Sequence, residues 1–280
     1  MTRPHLPLSR RVGLAIALVI VALAALPSCG SDEPRAAGPV ATTVTTTAAN
    51  STTSTTEPEP AYRSWIANVR PEVQSVTIHD SPGGPQLQLD TKGDGTLRPV
   101  AVDNPLPSGA PTTFLVKQRS ATAVGSDWIE VYLPVRPNGS TGWIQASDAT
   151  LTNTDLAATI NLTTHQLELT DAGNVVVTYP VAAGEAATPT PTGLFYVKEL
   201  VEPPNAGGAY GPIAYGLSAF SPTLVDTEAF ADGVIGIHGT NRPDLIGQNV
   251  SHGCVRMNND SILDLERHSV PLGMPVTITA

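Results

Sequence analysis

Cysteine is almost missing from this 280-residue chain, which holds only Cys29 and Cys254. Cys29 sits in what reads as a leader junction, so one thiol is left for the folded part and an intrachain disulfide framework is excluded. That is unusual for an exported chain and fits a thiol kept free for chemistry. A zinc site lacks its parts as well, because no second downstream cysteine and no His-Glu-x-x-His run exist to complete one. Positive charge is scarce, with 15 Lys and Arg against 25 Asp and Glu. Loss of a leader carrying Arg3, Arg10 and Arg11 leaves 12 against 25, a charge of −13, which argues against nucleic acid or an anionic membrane surface as partner. A bilayer-spanning run is lacking too. The apolar stretch Val12–Leu26 covers 15 residues, short for a membrane helix and typical of the h-region of a secretory signal.

That stretch ends Leu26-Pro27-Ser28-Cys29-Gly30, which resembles the lipobox of bacterial lipoproteins, where the cysteine is acylated and becomes the mature N-terminus. Pro27 departs from the usual residue at its place, and the alternative is an ordinary secretory signal with an incidental cysteine. Residues 1–29 are thus expected to be a signal peptide ending at a lipidated Cys29. The protein is expected on the outer face of the cytoplasmic membrane or in the cell wall. Residues 30–60 are rich in Thr, Ser, Ala and Pro around the tract Thr42–Thr56 and bury too little apolar surface to fold, so they read as a flexible tether.

From 61 to 152 the pattern is short strands broken by turns. Val73–His79 and Phe114–Gln118 are strand candidates. Trp128-Ile129-Glu130-Val131-Tyr132-Leu133 alternates with period two, and Pro137-Asn138-Gly139 turns it into Thr141-Gly142-Trp143-Ile144. This hairpin resembles the small Src-homology-type β-barrels of bacterial cell-wall enzymes. Trp128 and Trp143 are expected in its core and hairpin packing.

Residues 156–280 are again β-rich. Ala157–Thr163 and Gln166–Thr170 read as a hairpin, and the turn 171–174 leads into Val175–Val181. Leu194–Leu200 and Gly233–Ile237 are further strands. Between them, residues 201–217 read as a long mobile loop holding Tyr210 and Tyr215, of the kind that serves as a functional lid. Asn258 to Asp260 are expected to cap a helix running to about His268, with Ile262, Leu263 and Leu265 buried, before a last strand at Val276–Thr279.

The chemistry concentrates near the C-terminus. Ile237-His238-Gly239-Thr240 is followed by Ser251-His252-Gly253-Cys254-Val255-Arg256-Met257, with 16 residues from His238 to Cys254. That is room for a strand end, a loop and a return to the same spot. A thiol beside an imidazole becomes a nucleophile, partly thiolate near neutral pH. Gly239 can offer its carbonyl to fix the imidazole tautomer, and the amides of Gly253 and Cys254 are natural oxyanion donors. Arg256 can hold a carboxylate bidentately. His252 reads as supportive, while His165 and His268 read as surface residues without function.

These motifs resemble the signature of L,D-transpeptidase catalytic domains of the YkuD type. Tyr179-Pro180-Val181, Ala183-Gly184 and Thr190-Pro191-Thr192-Gly193-Leu194-Phe195 agree in order. The resemblance covers about 156–280 and implies a mainly β protein, a small Src-homology-like barrel followed by a β-sandwich catalytic domain with one or two short helices. It implies peptidoglycan stem peptides as substrate and no cofactor. Cys254 would attack the carbonyl of the diamino acid, expel D-alanine from a tetrapeptide, and pass the acyl group to the amine of a second stem, giving a three-to-three cross-link. His238 matches the base, with Gly239, Gly253 and His252 beside it. Ser251, Arg256, Tyr196, Tyr210 and Tyr215 are the expected substrate contacts, and carbapenem-type inhibitors are expected to acylate the thiol. Some members carry Asn at the place of Arg256, which leaves acceptor preference open.

Alternatives share these residues. The thioester could pass to water, making a carboxypeptidase, or to a protein amine. A decayed enzyme whose N-terminal barrel binds the wall is a non-catalytic reading. In a papain-like peptidase the cysteine usually precedes its histidine; here His238 comes first.

Overall fold

Alternation of buried and exposed side chains decides which way each strand faces. In a computed structural model, which describes residues 60–119, 127–224 and 233–280, the hairpin at 128–145 buries Ile129, Val131 and Ile144. Trp128, Glu130, Tyr132 and Trp143 lie on its other face and stay half-buried. The two tryptophans are therefore not the core residues expected above. The branched aliphatics take the interior, and Trp128 instead meets His79 edge-on with ring centroids 4.8 Å apart.

The N-terminal part runs β1 (Ser64–Val69), β2 (Ser75–Thr77), β3 (Gln88–Leu89), β4 (Arg98–Pro99), β5 (Ala101–Asp103), β6 (Thr113–Arg119), β7 (Trp128–Tyr132), β8 (Thr141–Gln145) and β9 (Ala149–Thr154). Five of these make an antiparallel sheet in the order β8-β7-β6-β1-β9, and two small ribbons, β2-β5 and β3-β4, complete it. Its core gathers Val76, Ile78, Val102, Phe114, Val131 and Ile144.

The second part runs β10 (Leu156–Asn161), β11 (Gln166–Asp171), β12 (Asn174–Pro180), β13 (Ala183–Gly184), β14 (Gly193–Val201), β15 (Ala214–Phe220), β16 (Val234–His238), β17 (Asn249–Ser251), β18 (Val255–Arg256), the helix α1 (Asn259–Arg267) and β19 (Pro275–Thr279). Eight strands form one sheet, β12-β11-β10-β19-β14-β15-β16-β18, with β10-β19 and β16-β18 parallel and the other pairs antiparallel. Its core joins Ile160, Leu167, Leu169, Phe195, Leu217 and Val276 to Ile262 and Leu265 of α1. The protein is thus mainly β. The described residues fall in one compact unit, and the Arg63–Asp155 pair, at 2.8 and 2.9 Å, holds the start of β1 to the junction between β9 and β10.

Two expectations change here. The loop at 201–217 is shorter, because β14 runs to Val201 and β15 begins at Ala214, which places Tyr215 inside a strand. The helix starts without a side-chain cap on Asn258; the Asn259 side chain instead accepts the Thr240 N–H at 2.8 Å, and Leu263 is only half-buried. The expected leader, Cys29 and the tether lie outside the described residues. Among the described residues, no helix is long and apolar enough to cross a membrane, and no cluster of three His, Cys, Asp or Glu is placed to hold a metal ion.

Candidate active site

The parallel pairing of β16 with β18 brings His238 and Cys254 to one place. Ile237 lies opposite Val255 and His238 opposite Arg256, so the thiol one residue before β18 sits beside Gly236 in β16. The register is locked by Met257 N–H donating to the His238 carbonyl at 2.8 Å, and by Ala182 and Arg256 exchanging two bonds of 2.9 Å.

Hydrogen bonds within the Ser251–Cys254 turn aim the thiol. Gly253 has φ +114°, a backbone that favours glycine, and a side chain there would also stand 2.8 Å from Ile235. The Ser251 hydroxyl donates to the Cys254 carbonyl and accepts the Gly253 N–H at 3.1 Å. Thr190, buried behind the turn, donates to the Gly253 carbonyl and accepts the Gly184 N–H, both at 2.8 Å. The Cys254 Sγ accepts the Gly236 N–H at 3.4 Å and lies 4.0 Å from the Val234 carbonyl.

His238 is 4% exposed, and its Nδ1 lies 2.6 Å from the Gly239 carbonyl. A carbonyl can only accept, so Nδ1 carries the proton and Nε2 keeps its lone pair. Burial lowers the His238 pKa to about 4; the Gly239 bond opposes this, and the Arg256 charge assists it. Burial likewise pushes the Cys254 thiol up, against the smaller lowering effects of the Gly236 N–H and of Arg256. The resting pair is therefore neutral thiol and neutral imidazole. The expected standing fraction of thiolate is not favoured, because desolvation outweighs both local donors.

The thiol and imidazole open on a cleft with two arms. The first, about 150 Å³, is bounded by Tyr210, Ser221, Leu224, Gly233, His252 and Arg256. The second, about 390 Å³ and mostly apolar, runs along Val201, Pro203, Pro204 and Tyr215. Tyr210 is 48% exposed and its ring lies 4.8 Å from that of His238, tilted by 53°. The Nε of Arg256 is buried with no hydrogen-bond partner, and among the described residues Arg256 forms no ion pair.

Most of the residues expected at the site meet here, with four differences. Tyr196 is fully buried in β14 with its hydroxyl unpaired, away from both arms, so it is no substrate contact. Tyr215 is 2% exposed, and burial pushes its hydroxyl pKa to about 12. Ser251 borders the cleft but is 1% exposed, its hydroxyl spent on the turn. The Gly253 N–H, expected as an oxyanion donor, is taken by that hydroxyl. The Gly236 donor and the Thr190 brace escaped sequence reasoning. Gly236 lay in an expected strand and Thr190 in a quoted motif, but neither position reveals its hydrogen-bond partner.

A single thiol and a buried imidazole on adjoining parallel strand ends of a mainly β scaffold define a narrow class of protein. The chain matches the YkuD family, described as the L,D-transpeptidase catalytic domain, over residues 155–278. A Bacillus licheniformis protein provisionally named L,D-transpeptidase YkuD is 39% identical over 120 residues, 43% of this chain and 63% of that protein. Its Bacillus subtilis namesake is 40% identical over 123 residues, covering 44% and 64%. A Bacillus subtilis protein provisionally named L,D-transpeptidase YqjB is 32% identical over 127 residues, covering 43% and 69%. This chain belongs to the YkuD L,D-transpeptidase family, while spanning somewhat under two thirds of the length of the first two relatives. Similar solved structures include an L,D-transpeptidase from Mycobacterium smegmatis, with 15% identity, 60% of this chain, 90% of that one and a TM-score of 0.35. L,D-transpeptidase 3 from Mycobacterium tuberculosis, in complex with a faropenem-derived adduct, gives 15% identity, 51%, 75% and 0.37.

Proposed function

We propose that this chain is a peptidoglycan L,D-transpeptidase with Cys254 as nucleophile and His238 as base. The observation that carries the reading is the His238 imidazole, buried and held by Gly239 in the tautomer that leaves Nε2 basic, lining the same cleft as the thiol. With both groups neutral at rest, the thiol proton passes to Nε2 as Sγ attacks the diamino acid carbonyl. General-base help of this kind is worth roughly 10²–10⁴-fold. The Cys254 N–H is the remaining backbone donor for the oxyanion. His238 then returns the proton to the departing D-alanine amine, leaving a thioester. A diamino acid amine of a second stem attacks the thioester and gives its proton back through His238, which restores the thiol. The unpartnered Arg256 Nε supports a carboxylate contact in the first arm, and Tyr210 walls both arms beside the imidazole.

The same reading takes residues 61–152 as a small wall-associated barrel, and 1–29 with Cys29 as an export signal and lipid anchor that hold the enzyme beside its substrate. Mass spectrometry of muropeptides incubated with the full chain tests the activity. D-Alanine release and three-to-three dimers are expected with wild type, and neither with Cys254→Ala. Equal turnover by the two proteins would sink the assignment.

A further inference from the structure

The turn joining β7 and β8 reaches out of the N-terminal sheet to the wall of the cleft. The Arg136 guanidinium donates to the Ser221 carbonyl at 2.6 Å and to the Leu224 carbonyl at 2.9 Å, and its carbon stands 4.9 Å from the centre of the Phe220 ring. Asn138 makes a two-way bond with one residue, donating to the Phe220 carbonyl at 2.8 Å and accepting the Phe220 N–H at 2.9 Å. Phe220 and Ser221 are buried, and Ser221, Leu224 and Gly233 bound the first arm of the cleft. The Ser221 N–H donates to the Gly233 carbonyl at 2.7 Å, closing the two sides of this wall on each other. Gly233 has φ +67°, and a side chain there would strike the Leu224 carbonyl and the Arg136 guanidinium, so the three groups fit only as they stand.

These bonds are side chain to backbone, and they span 82 to 88 residues of sequence. They read main-chain position at the cleft wall, while the Ser221 hydroxyl folds back to accept the Thr223 and Leu224 N–H groups at 3.3 and 3.1 Å. Nothing in this contact touches the thiol or the imidazole. His238 is held by Gly239, and the Cys254 turn by Ser251 and Thr190. The wall and the reacting pair are thus braced by separate sets of bonds.

We propose that Arg136 and Asn138 are positioning residues: through them the β7–β8 turn of the N-terminal sheet sets the shape of the first arm, assigned to the acyl donor because Arg256, the carboxylate contact proposed above, bounds it. The N-terminal part then contributes to donor binding in the same molecule, beyond any attachment to the wall. For its substrate this inference rests on the transpeptidase reading above.

The test compares Arg136→Ala, Asn138→Ala and the double variant with the full wild-type chain. D-Alanine release from a stem tetrapeptide and amide hydrogen exchange of residues 220–224 are measured. Loss of a charged donor with two acceptors is expected to raise KM about tenfold. The rate at saturation should stay within about threefold, because the Cys254 and His238 braces are untouched. Exchange at 220–224 should accelerate. Arg136→Lys, which can reach one carbonyl but not fork between two, should fall between. If the double variant does not fold, Arg136→Lys and Asn138→Asp decide, since Asp still accepts the Phe220 N–H but cannot donate to its carbonyl. An unchanged KM, or a lowered kcat at unchanged KM, overturns the proposal, as does unchanged exchange. A wild-type chain that releases no D-alanine overturns the proposed activity instead. Exchange at 220–224 then decides the clamp alone, acceleration supporting it and unchanged rates refuting it.

Discussion

Replacing Thr190 by valine keeps the shape of the side chain and removes one oxygen. That oxygen holds the Gly253 carbonyl and the Gly184 N–H, both at 2.8 Å, in a residue 5% exposed. Water is poorly placed to replace it, so both backbone groups lose their partner. A buried polar group left unpaired costs about 1–3 kcal/mol, and partial relaxation brings the pair to about 2–4 kcal/mol. For a folded unit of this size each kcal/mol lowers Tm by about 2–4 °C, so a fall of roughly 4–16 °C is expected by calorimetry. Thr190→Ser keeps the hydroxyl and loses a methyl group worth about 0.8 kcal/mol, so it should stay within about 4 °C of wild type. Function should follow the same order. Freed from Thr190, the Gly253 carbonyl lets the turn before the thiol drift, and misplacement by an ångström costs about 10²-fold in turnover. Equal melting temperatures for the valine and serine variants, or a valine variant indistinguishable from wild type, would refute the brace.

Three further outcomes are expected. Because His238 falls from 6.5 to about 4 on folding, its contribution is present above pH 6.5 and is lost as pH drops through 4, by roughly 3 kcal/mol. Urea unfolding at pH 7 and pH 4 reads this loss, and a His238→Gln protein with the same pH slope would contradict it. Alkylation of Cys254 by iodoacetamide should still be climbing at pH 9, since burial raises the thiol; a plateau by pH 7 would reveal a standing thiolate–imidazolium pair. A carbapenem should leave one covalent adduct on the peptide holding Cys254, seen by intact-protein mass spectrometry and absent from Cys254→Ala. A folded, reduced wild-type chain without adduct after hours would argue that the site is inert.

The strands were legible where branched apolar residues alternate, as in Ile129 and Val131 or Leu167 and Leu169. Period two says that faces differ but not which face is buried, so the large aromatics Trp128 and Trp143 read as core although Ile129, Val131 and Ile144 fill that space. The end of the 201–217 loop comes earlier than the pattern suggests because Gly216 reads as a breaker. In the fold Gly216 pairs with Gly236 inside the sheet. His238, Cys254 and Arg256 stood out by motif. Their ionisation did not, because burial depends on how separate strands and the helix pack, with Ile213, Ile237, Val255 and Ile262 drawn into one core from four separate places in the chain. Tyr196 shows the same limit. A tyrosine beside a motif reads as a ligand contact until its strand register turns it inward.

The pairing of β16 with β18 has a consequence for how this family of sequences can vary. The gap between imidazole and thiol is set across strands, by Ile237 facing Val255, and not by the length of chain joining them. Within that chain, residues 241–246 are largely exposed and held by short-range bonds of their own, Leu245 to Arg242 and Ile246 to Pro243. The 16-residue spacing is therefore no measuring stick for the chemistry. This outer turn can grow, shrink or acquire new contacts of its own while the reacting atoms keep their places.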